Sequence, residues 1–313
     1  MPVHRGGALA HGGGIEPFTP ASLVTEAEPL TLVGLALVLA AGVYLYGVTR
    51  MRRRGDRWPV GRTVGFLAGL VAIASVTTSG LAAYDTTLLS VHMVQHMVLS
   101  MIAPILLALG APVTLALRTL PPAPRRRLLA VLHSLVAKVL TFPVVTFGLF
   151  VANPFVLYFS GLYRASLENA WVHEWVHLHL VLTGCLFFWP LIGIDPLPGR
   201  MPYPLRALLM FLSTPFHTVL GLTVMQSATL LGGDWYPALR LDWADPFADQ
   251  RLAGGILWAG GEFVAVAMLG ALVVQWMRES DREARRVDRA LDRAEAEQAA
   301  WVRSAGSYDA ETH

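Results

Sequence analysis

The feature that most constrains this chain is a series of long apolar stretches. Segments of about 20 residues with few charges recur along it, and at 1.5 Å of helical rise per residue each can cross a hydrocarbon core about 30 Å thick. Only 15% of the 313 residues are charged and the mean hydropathy is +0.51, whereas soluble domains carry roughly 25% charged residues. The sequence therefore predicts an all-α membrane protein.

The apolar stretches number seven and predict a bundle of seven transmembrane helices. They run over residues 30–48, 63–83, 91–117, 128–160, 175–194, 205–231 and 252–277. The fourth stretch is too long for one straight crossing and contains Pro143 and Pro154. Because proline interrupts helices, we expect the bounds of this stretch to be the least regular.

The distribution of arginine predicts the orientation of the bundle. Nineteen arginines lie in residues 50–62, 118–127 and 195–206 and in the tail after residue 277, and four lie on the opposite side. Cytoplasmic loops retain Lys and Arg, so we expect the N-terminus outside the cell and the C-terminus inside.

Two segments flank the predicted transmembrane domain of residues 30–277. Residues 1–29 contain no apolar run and no basic region of a signal peptide, which indicates a flexible extracytoplasmic segment. Residues 278–313 alternate acids with arginines at helical spacing and predict a charged cytoplasmic helix that continues the last span.

Two histidine pairs are the strongest candidates for a binding site. His92 and His96 lie near the start of the third stretch, and His173 and His177 lie near the start of the fifth. Residues four apart share one face of a helix, so each pair presents two imidazoles in one direction. Under the predicted topology all four lie in the outer leaflet, and we expect them to converge on a metal ion or a cofactor.

Two further ionisable residues lie near the middle of predicted spans. His217 is in the sixth stretch and Glu262 is in the seventh, beside Gly260 and Gly261. An ionisable side chain at this depth is costly and normally faces a partner inside the bundle. We expect His217 to be a fifth ligand and Glu262 to be an auxiliary group, with helix packing as the alternative for Glu262.

Copper is the metal that the candidate ligands favour. Met93 and Met97 lie on the same helix as the first histidine pair. Imidazole with thioether suits Cu(I), whereas zinc more often recruits a carboxylate or thiolate and calcium requires oxygen ligands. Methionine at helical spacing also serves as adaptable core packing, so the two methionines are auxiliary candidates only.

Haem is the alternative cofactor for the same histidines. Two haems stacked across a bilayer need axial histidines about a dozen or more residues apart, and a gap of four residues is only about 6 Å. A single haem between His96 and His177 remains open. A small metal site uses both members of each pair, so we prefer it.

Several classes of function find no support in the sequence. The single cysteine, Cys185, excludes an intrachain disulfide and every CxxC motif. The chain has no Walker, GxSxG or GxGxxG motif, so we predict neither nucleotide coupling nor an enzyme. The net charge of +2 follows membrane topology and gives no indication of nucleic-acid binding.

Several long, ordered motifs carry a family resemblance. They are HMVQHMVLSMIAPILLALGAPVTLALR, NPFVLYFSGLYRASLENAWVHEWVHLHLVLTGCLFFWPLIGIDPLPGR, PFHTVLGLTVM, GGILWAGGEF and REARRVDR. Over residues 30–293 the chain resembles the CtaG family of multi-span cytochrome c oxidase assembly factors.

The resemblance implies a multi-pass protein of the bacterial plasma membrane that assists assembly of caa-type haem-copper oxidases and is linked to their copper centres. The five histidines named above occupy the family-like positions. The implied partners are an oxidase subunit and the lipid bilayer. Related sequences are also fused to a copper-resistance membrane domain, so a copper importer is a further expected partner.

The resulting hypothesis is that Cu(I) binds the four outer histidines, is relayed towards His217 and passes to the oxidase, with Glu262 tuning the charge. Because imidazole must be deprotonated to bind, uptake should weaken below roughly pH 6. A b-type cytochrome and a metal-free scaffold for oxidase subunits are the alternatives.

Overall fold

The computed structural model describes residues 16–199 and 201–310, with side chains described up to residue 298. Within these residues the chain is helical and contains no strand. Six helices are long and apolar enough to cross a membrane, and a bent pair raises the number to seven. The prediction of an all-α membrane protein is therefore confirmed, while the orientation of its termini stays a prediction.

The helices are numbered in chain order, and one π-helical segment interrupts them. They are α1 (Ser22–Thr25), α2 (Leu32–Arg53), α3 (Val60–Thr77), α4 (Leu81–Tyr84), α5 (Leu89–Met97), the π-helix (Val98–Ile102), α6 (Ala103–Leu109), α7 (Pro112–Thr119), α8 (Pro122–Leu132), α9 (Leu135–Leu140), α10 (Pro143–Phe159), α11 (Leu162–Glu168), α12 (Ala170–Ile192), α13 (Tyr203–Gln226), α14 (Trp235–Ala238) and α15 (Pro246–Ala310). The chain divides into one unit up to Val266 and a second from Ala267.

The third predicted span is an irregular helix from Leu89 to Thr119 that lies at the centre of the first unit. Its π-helix ends just before Pro104, which has no N–H to donate to the carbonyl of Ser100 four residues earlier. That carbonyl is covered by α12 instead, because a Cβ at position 184 would lie only 2.2 Å from the Ser100 oxygen. Glycine at 184 thus lets α12 pack directly on the π-helix and α6.

The fourth predicted span, residues 128–160, is wrong in its first part. These residues begin within α8, continue through α9 and reach the apolar helix α10 only at Pro143. The Ser134 side chain caps α9 by accepting a hydrogen bond from the Ala137 amide, and Pro143 starts α10, where its missing N–H costs nothing. The part of this region that is long and apolar enough to be a seventh span is the pair of α10 and α11, taken together across a bend of 64°.

The flanking segments fall partly within the described residues. The predicted charged helix after residue 277 is the continuation of α15, and there Arg282 pairs with Glu279 at 3.4 Å. At the other end, residues 1–15 of the predicted flexible segment lie outside the described residues. Residues 16–29 include α1 and contact the end of α3, since the Glu28 amide donates to the Thr78 carbonyl at 2.9 Å.

A half-buried carboxylate fixes the start of the third span. The carboxylate of Asp249, in α15, accepts hydrogen bonds from the Leu89 amide at 2.6 Å and the Ser90 amide at 3.2 Å, and also from the Ser90 hydroxyl. The first turn of a helix leaves its amides without partners, and an anion there also complements the helix dipole. Asp249 therefore holds the end of α5 from which the first histidine pair projects.

We predict that Asp249→Ala lowers the free energy of unfolding by roughly 1–3 kcal/mol, because it leaves two helix-terminal amides without an acceptor. Denaturation of the detergent-purified protein, followed by circular dichroism, measures the change. Asp242→Ala, which alters an exposed acid close by, is the matched control and should have little effect. Equal stability of the two variants would contradict the assigned cap.

Candidate metal centre

A buried carboxylate and two imidazoles form a cluster at the start of α12. Asp85 follows α4 directly, and its Oδ2 lies 2.8 Å from Nε2 of His173 and 3.8 Å from Nε2 of His177. One ligand atom from each of the three residues can be chosen so that all lie within 4.8 Å of one another. We call these three residues the Asp85 cluster.

Local sequence explains why the two histidines of the cluster project together. The Asn169 side chain caps α12 by accepting hydrogen bonds from the Trp171 and Val172 amides at 2.9 and 3.3 Å. The helix therefore begins one turn before His173, and His177 follows one turn later on the same face. Their rings are 4.4 Å apart between centroids.

His92 lies beside the cluster with no hydrogen bond to satisfy it. Its ring centroid is 6.0 Å from that of His173, and the side chain is 1% exposed. Within the part of the chain that the structure describes, neither ring nitrogen of His92 nor either of His177 has a hydrogen-bond partner. Buried polar atoms are normally paired, so these nitrogens are available to a ligand.

Gln95 holds the carboxylate of the cluster in place. Its side-chain amide donates to Asp85 Oδ2 at 3.0 Å and to the Val76 carbonyl at 2.7 Å. Burial alone would raise the pKa of Asp85, but the charge and hydrogen bond of His173, with His177 and His92, hold the pKa below its ordinary value. The carboxyl group is therefore an anion facing imidazoles.

His96 and His217 lie apart from the Asp85 cluster. His96 shares a hydrogen bond of 3.1 Å between its Nδ1 and the Tyr158 hydroxyl, and His217 Nδ1 lies 3.4 Å from the Ser213 carbonyl oxygen. Both side chains line one narrow crevice between α5, α10, α12 and α13. The five histidines predicted as ligands thus fall into two groups.

The three auxiliary candidates occupy different surroundings. Glu262 is half-buried and accepts a hydrogen bond from the Thr218 hydroxyl on α13. Met93 and Met97 are buried, and Met97 packs against Gly260, where an added Cβ would meet its terminal methyl at 3.5 Å. This contact is one of core packing, and a role for the methionines as ligands stays a prediction.

The residues that the sequence analysis missed are Asp85 and its support, Gln95. Asp85 is an isolated acid between two apolar stretches, seven positions before His92. That isolation is the sequence signal that could have indicated a buried carboxylate. The direction of a side chain in a loop cannot be predicted from helical periodicity, so only the folded chain shows that the Asp85 carboxylate contacts α12. His179, which faces away from the cluster, shares a 2.8 Å hydrogen bond with Asn153 instead.

The Asp85 cluster has the composition of a metal centre. Imidazole binds copper, zinc, iron and nickel, and a carboxylate adds an oxygen ligand and a compensating negative charge. The three residues of the cluster bring three protein ligand atoms within reach of one ion, and the ring of His92 lies next to them, 6.0 Å from that of His173 between centroids. The residues therefore fit a single transition-metal ion.

We predict that Asp85→Ala lowers the free energy of unfolding by roughly 3–5 kcal/mol, since it removes one partner of a buried pair and leaves Gln95 and His173 without their acceptor. Chemical denaturation in mixed micelles measures the loss. Asp56→Ala is the control, because its contact with Arg118 is exposed and spans 3.8 Å, so about 0–1 kcal/mol is expected. Similar losses in both variants would contradict the buried pair.

Comparison with known proteins places the chain in a family. The family model described as cytochrome c oxidase caa3 assembly factor (Caa3_CtaG) matches residues 42–279. Uncharacterized proteins of Mycobacterium bovis and Mycobacterium tuberculosis are 41% identical over 285 residues, which is 88% of this chain and 43% of theirs. An uncharacterized protein of Mycobacterium leprae is 41% identical over 271 residues, 84% of this chain and 41% of its own.

The chain spans less than half the length of these curated relatives. No solved structure matches it. The family match covers most of the chain and confirms the resemblance found in its motifs. This multi-pass bacterial membrane protein therefore belongs to the family of cytochrome c oxidase caa3 assembly factors.

Proposed function

We propose that this protein binds a copper ion at the Asp85 cluster, with His92 as a further ligand, and delivers it to a caa3-type oxidase during assembly. The observation that carries the proposal is the buried carboxylate among imidazoles whose nitrogens have no other partner. The family role supplies the destination, since haem-copper oxidases require copper to be inserted.

Charge favours a monovalent ion at this position. A buried charge is costly unless it is compensated, and the Asp85 carboxylate supplies one negative charge. Cu(I) with this carboxylate and neutral imidazoles gives a site of zero net charge, whereas a divalent ion leaves an excess of one positive charge. Such a site needs no thioether ligand, so Met93 and Met97 are not required for Cu(I) binding.

The packing around His92 favours a small ion over haem. Its ring makes edge contacts with Tyr158 and Tyr163 at centroid distances of 5.9 and 5.1 Å. A porphyrin bound through His92 would have to displace these rings, whereas a single ion needs far less room. A b-type cytochrome remains the second candidate, and it predicts a Soret band.

The partners follow from the proposed delivery. An oxidase subunit receives the copper within the lipid bilayer, and a copper importer is the proposed source. Delivery is ligand exchange without turnover of a substrate, so we assign no enzymatic activity. The family's role in assembly supports this assignment.

We predict that the detergent-purified protein binds Cu(I) in anaerobic titration and that His173→Ala/His177→Ala removes one equivalent, because it deletes both imidazoles of the cluster. Competition with a chromogenic Cu(I) chelator gives the stoichiometry. His133→Ala, which alters an exposed histidine at the end of α8, should bind as the wild type does. Unchanged stoichiometry in the double variant, or a Soret band in place of copper, would refute the proposal.

We predict further that the same double variant fails to restore oxidase assembly in a host that lacks its own family member. The readout is copper content and activity of the isolated oxidase at equal levels of the assembly factor, with His133→Ala as the matched control. A scaffold without metal would support normal oxidase activity in both variants. That outcome would favour the scaffold and contradict delivery.

A further inference from the structure

Two buried histidines outside the Asp85 cluster face the same crevice. His96 projects from α5 and His217 from α13, and their side chains are 1% and 4% exposed. The crevice is lined by His96, Ser100, Phe150, Asn153, Pro154, Thr183 and His217. Elements far apart in the sequence thus bring two imidazoles together inside the bundle.

The hydrogen bonds of these rings leave one nitrogen of each unused. The Nδ1–H of His217 donates to the Ser213 carbonyl, and Nδ1 of His96 is paired with the Tyr158 hydroxyl. Among the described residues, neither Nε2 of His96 nor Nε2 of His217 has a hydrogen-bond partner. Histidines that bind metals are typically fixed in this way, with the distal nitrogen donating to a carbonyl or another oxygen.

The remaining polar groups of the crevice offer lone pairs. The Ser100 hydroxyl donates to the His96 carbonyl at 2.6 Å, and the Thr183 hydroxyl donates to the His179 carbonyl at 2.9 Å. Pro154 has no N–H, so the Phe150 carbonyl lacks its usual helical donor. With both hydroxyl donors engaged, and with the Asn153 amide donating to the Thr183 hydroxyl at 3.3 Å, the crevice is suited to a cation.

The number of imidazoles selects among cations. Structural zinc takes four ligands and magnesium requires six oxygens, whereas Cu(I) is stable with two nitrogen ligands in a linear arrangement. Glu262 accepts a hydrogen bond from Thr218, the residue after His217, and its neighbour Gly261 packs against the His217 side chain. The Glu262 carboxylate would compensate a single positive charge.

We propose that His96 and His217 form a second Cu(I) position, which receives the ion from the Asp85 cluster. This inference rests on the proposed function and deepens it. His92 and His96 share one face of α5, about 6 Å apart along the helix axis, so an ion bound by His92 is one helical turn from His96. Transfer exchanges copper–nitrogen bonds, and the oxidation state does not change.

The test is anaerobic Cu(I) titration of the full chain in detergent, combined with copper X-ray absorption, on four proteins. These are the wild type, His217→Asn, His173→Ala/His177→Ala and the control His133→Ala. We expect two equivalents in the wild type and the control, and one equivalent in each of the other variants. The copper left in His173→Ala/His177→Ala should show the strong edge transition of linear two-coordinate Cu(I).

The outcomes separate this inference from the proposed function. Full binding by His217→Asn with loss only in His173→Ala/His177→Ala overturns the second position and leaves the first intact. Loss only in His217→Asn supports the second position and refutes the Asp85 cluster. Circular dichroism establishes whether each variant is folded. If His217→Asn does not fold, His96→Asn takes its place, because both variants should lose the same equivalent of copper.

Discussion

The site depends on the contact between Asp85 and His173. The two residues are 88 positions apart, and their 2.8 Å contact joins the segment after α3 to the start of α12. A buried carboxylate requires partners, and Gln95 and His177 complete the set. One side chain therefore ties the loop, the third span and α12 to a common point.

The shape of the third span places the two histidine groups. Its π-helix lies directly after His96 and Met97, and Gly184 allows α12 to pack against the Ser100 carbonyl. The close approach of α12 brings His173 towards His92 at one level and Thr183 towards His96 at another. The irregular stretch of the third span thus lies where α12 packs against it and the histidines of the two elements approach each other.

Helix packing on the other side of the site relies on small residues. Gly221 and Gly254 face each other, and a Cβ at 254 would lie 2.6 Å from the Gly221 carbonyl oxygen. Gly261 leaves room for the ring of His217, which an added Cβ would meet at 3.4 Å. Small residues allow close helix contacts in a bilayer, and here they let α15 bring Glu262 beside α13.

The sequence by itself determined the membrane class, most of the spans, the charged last helix and the family. These follow from apolar length, charge placement and ordered motifs, which depend on local composition. The spacing of His92 with His96 and of His173 with His177 also marked candidate ligands. It could not show that His96 belongs with His217, because the i, i+4 rule relates residues of one helix only.

Tertiary structure alone decided what lies opposite each imidazole. Asp85 is in a loop and has no periodicity to reveal its direction, so only the folded chain places its carboxylate against His173. Gly184 sets the distance between α12 and the third span, and Pro104 lies at the change of helical register in that span. Together they affect which side chains meet between the two helices. Apolar length predicts that a helix crosses the bilayer, but contacts between helices determine which side chains form a site.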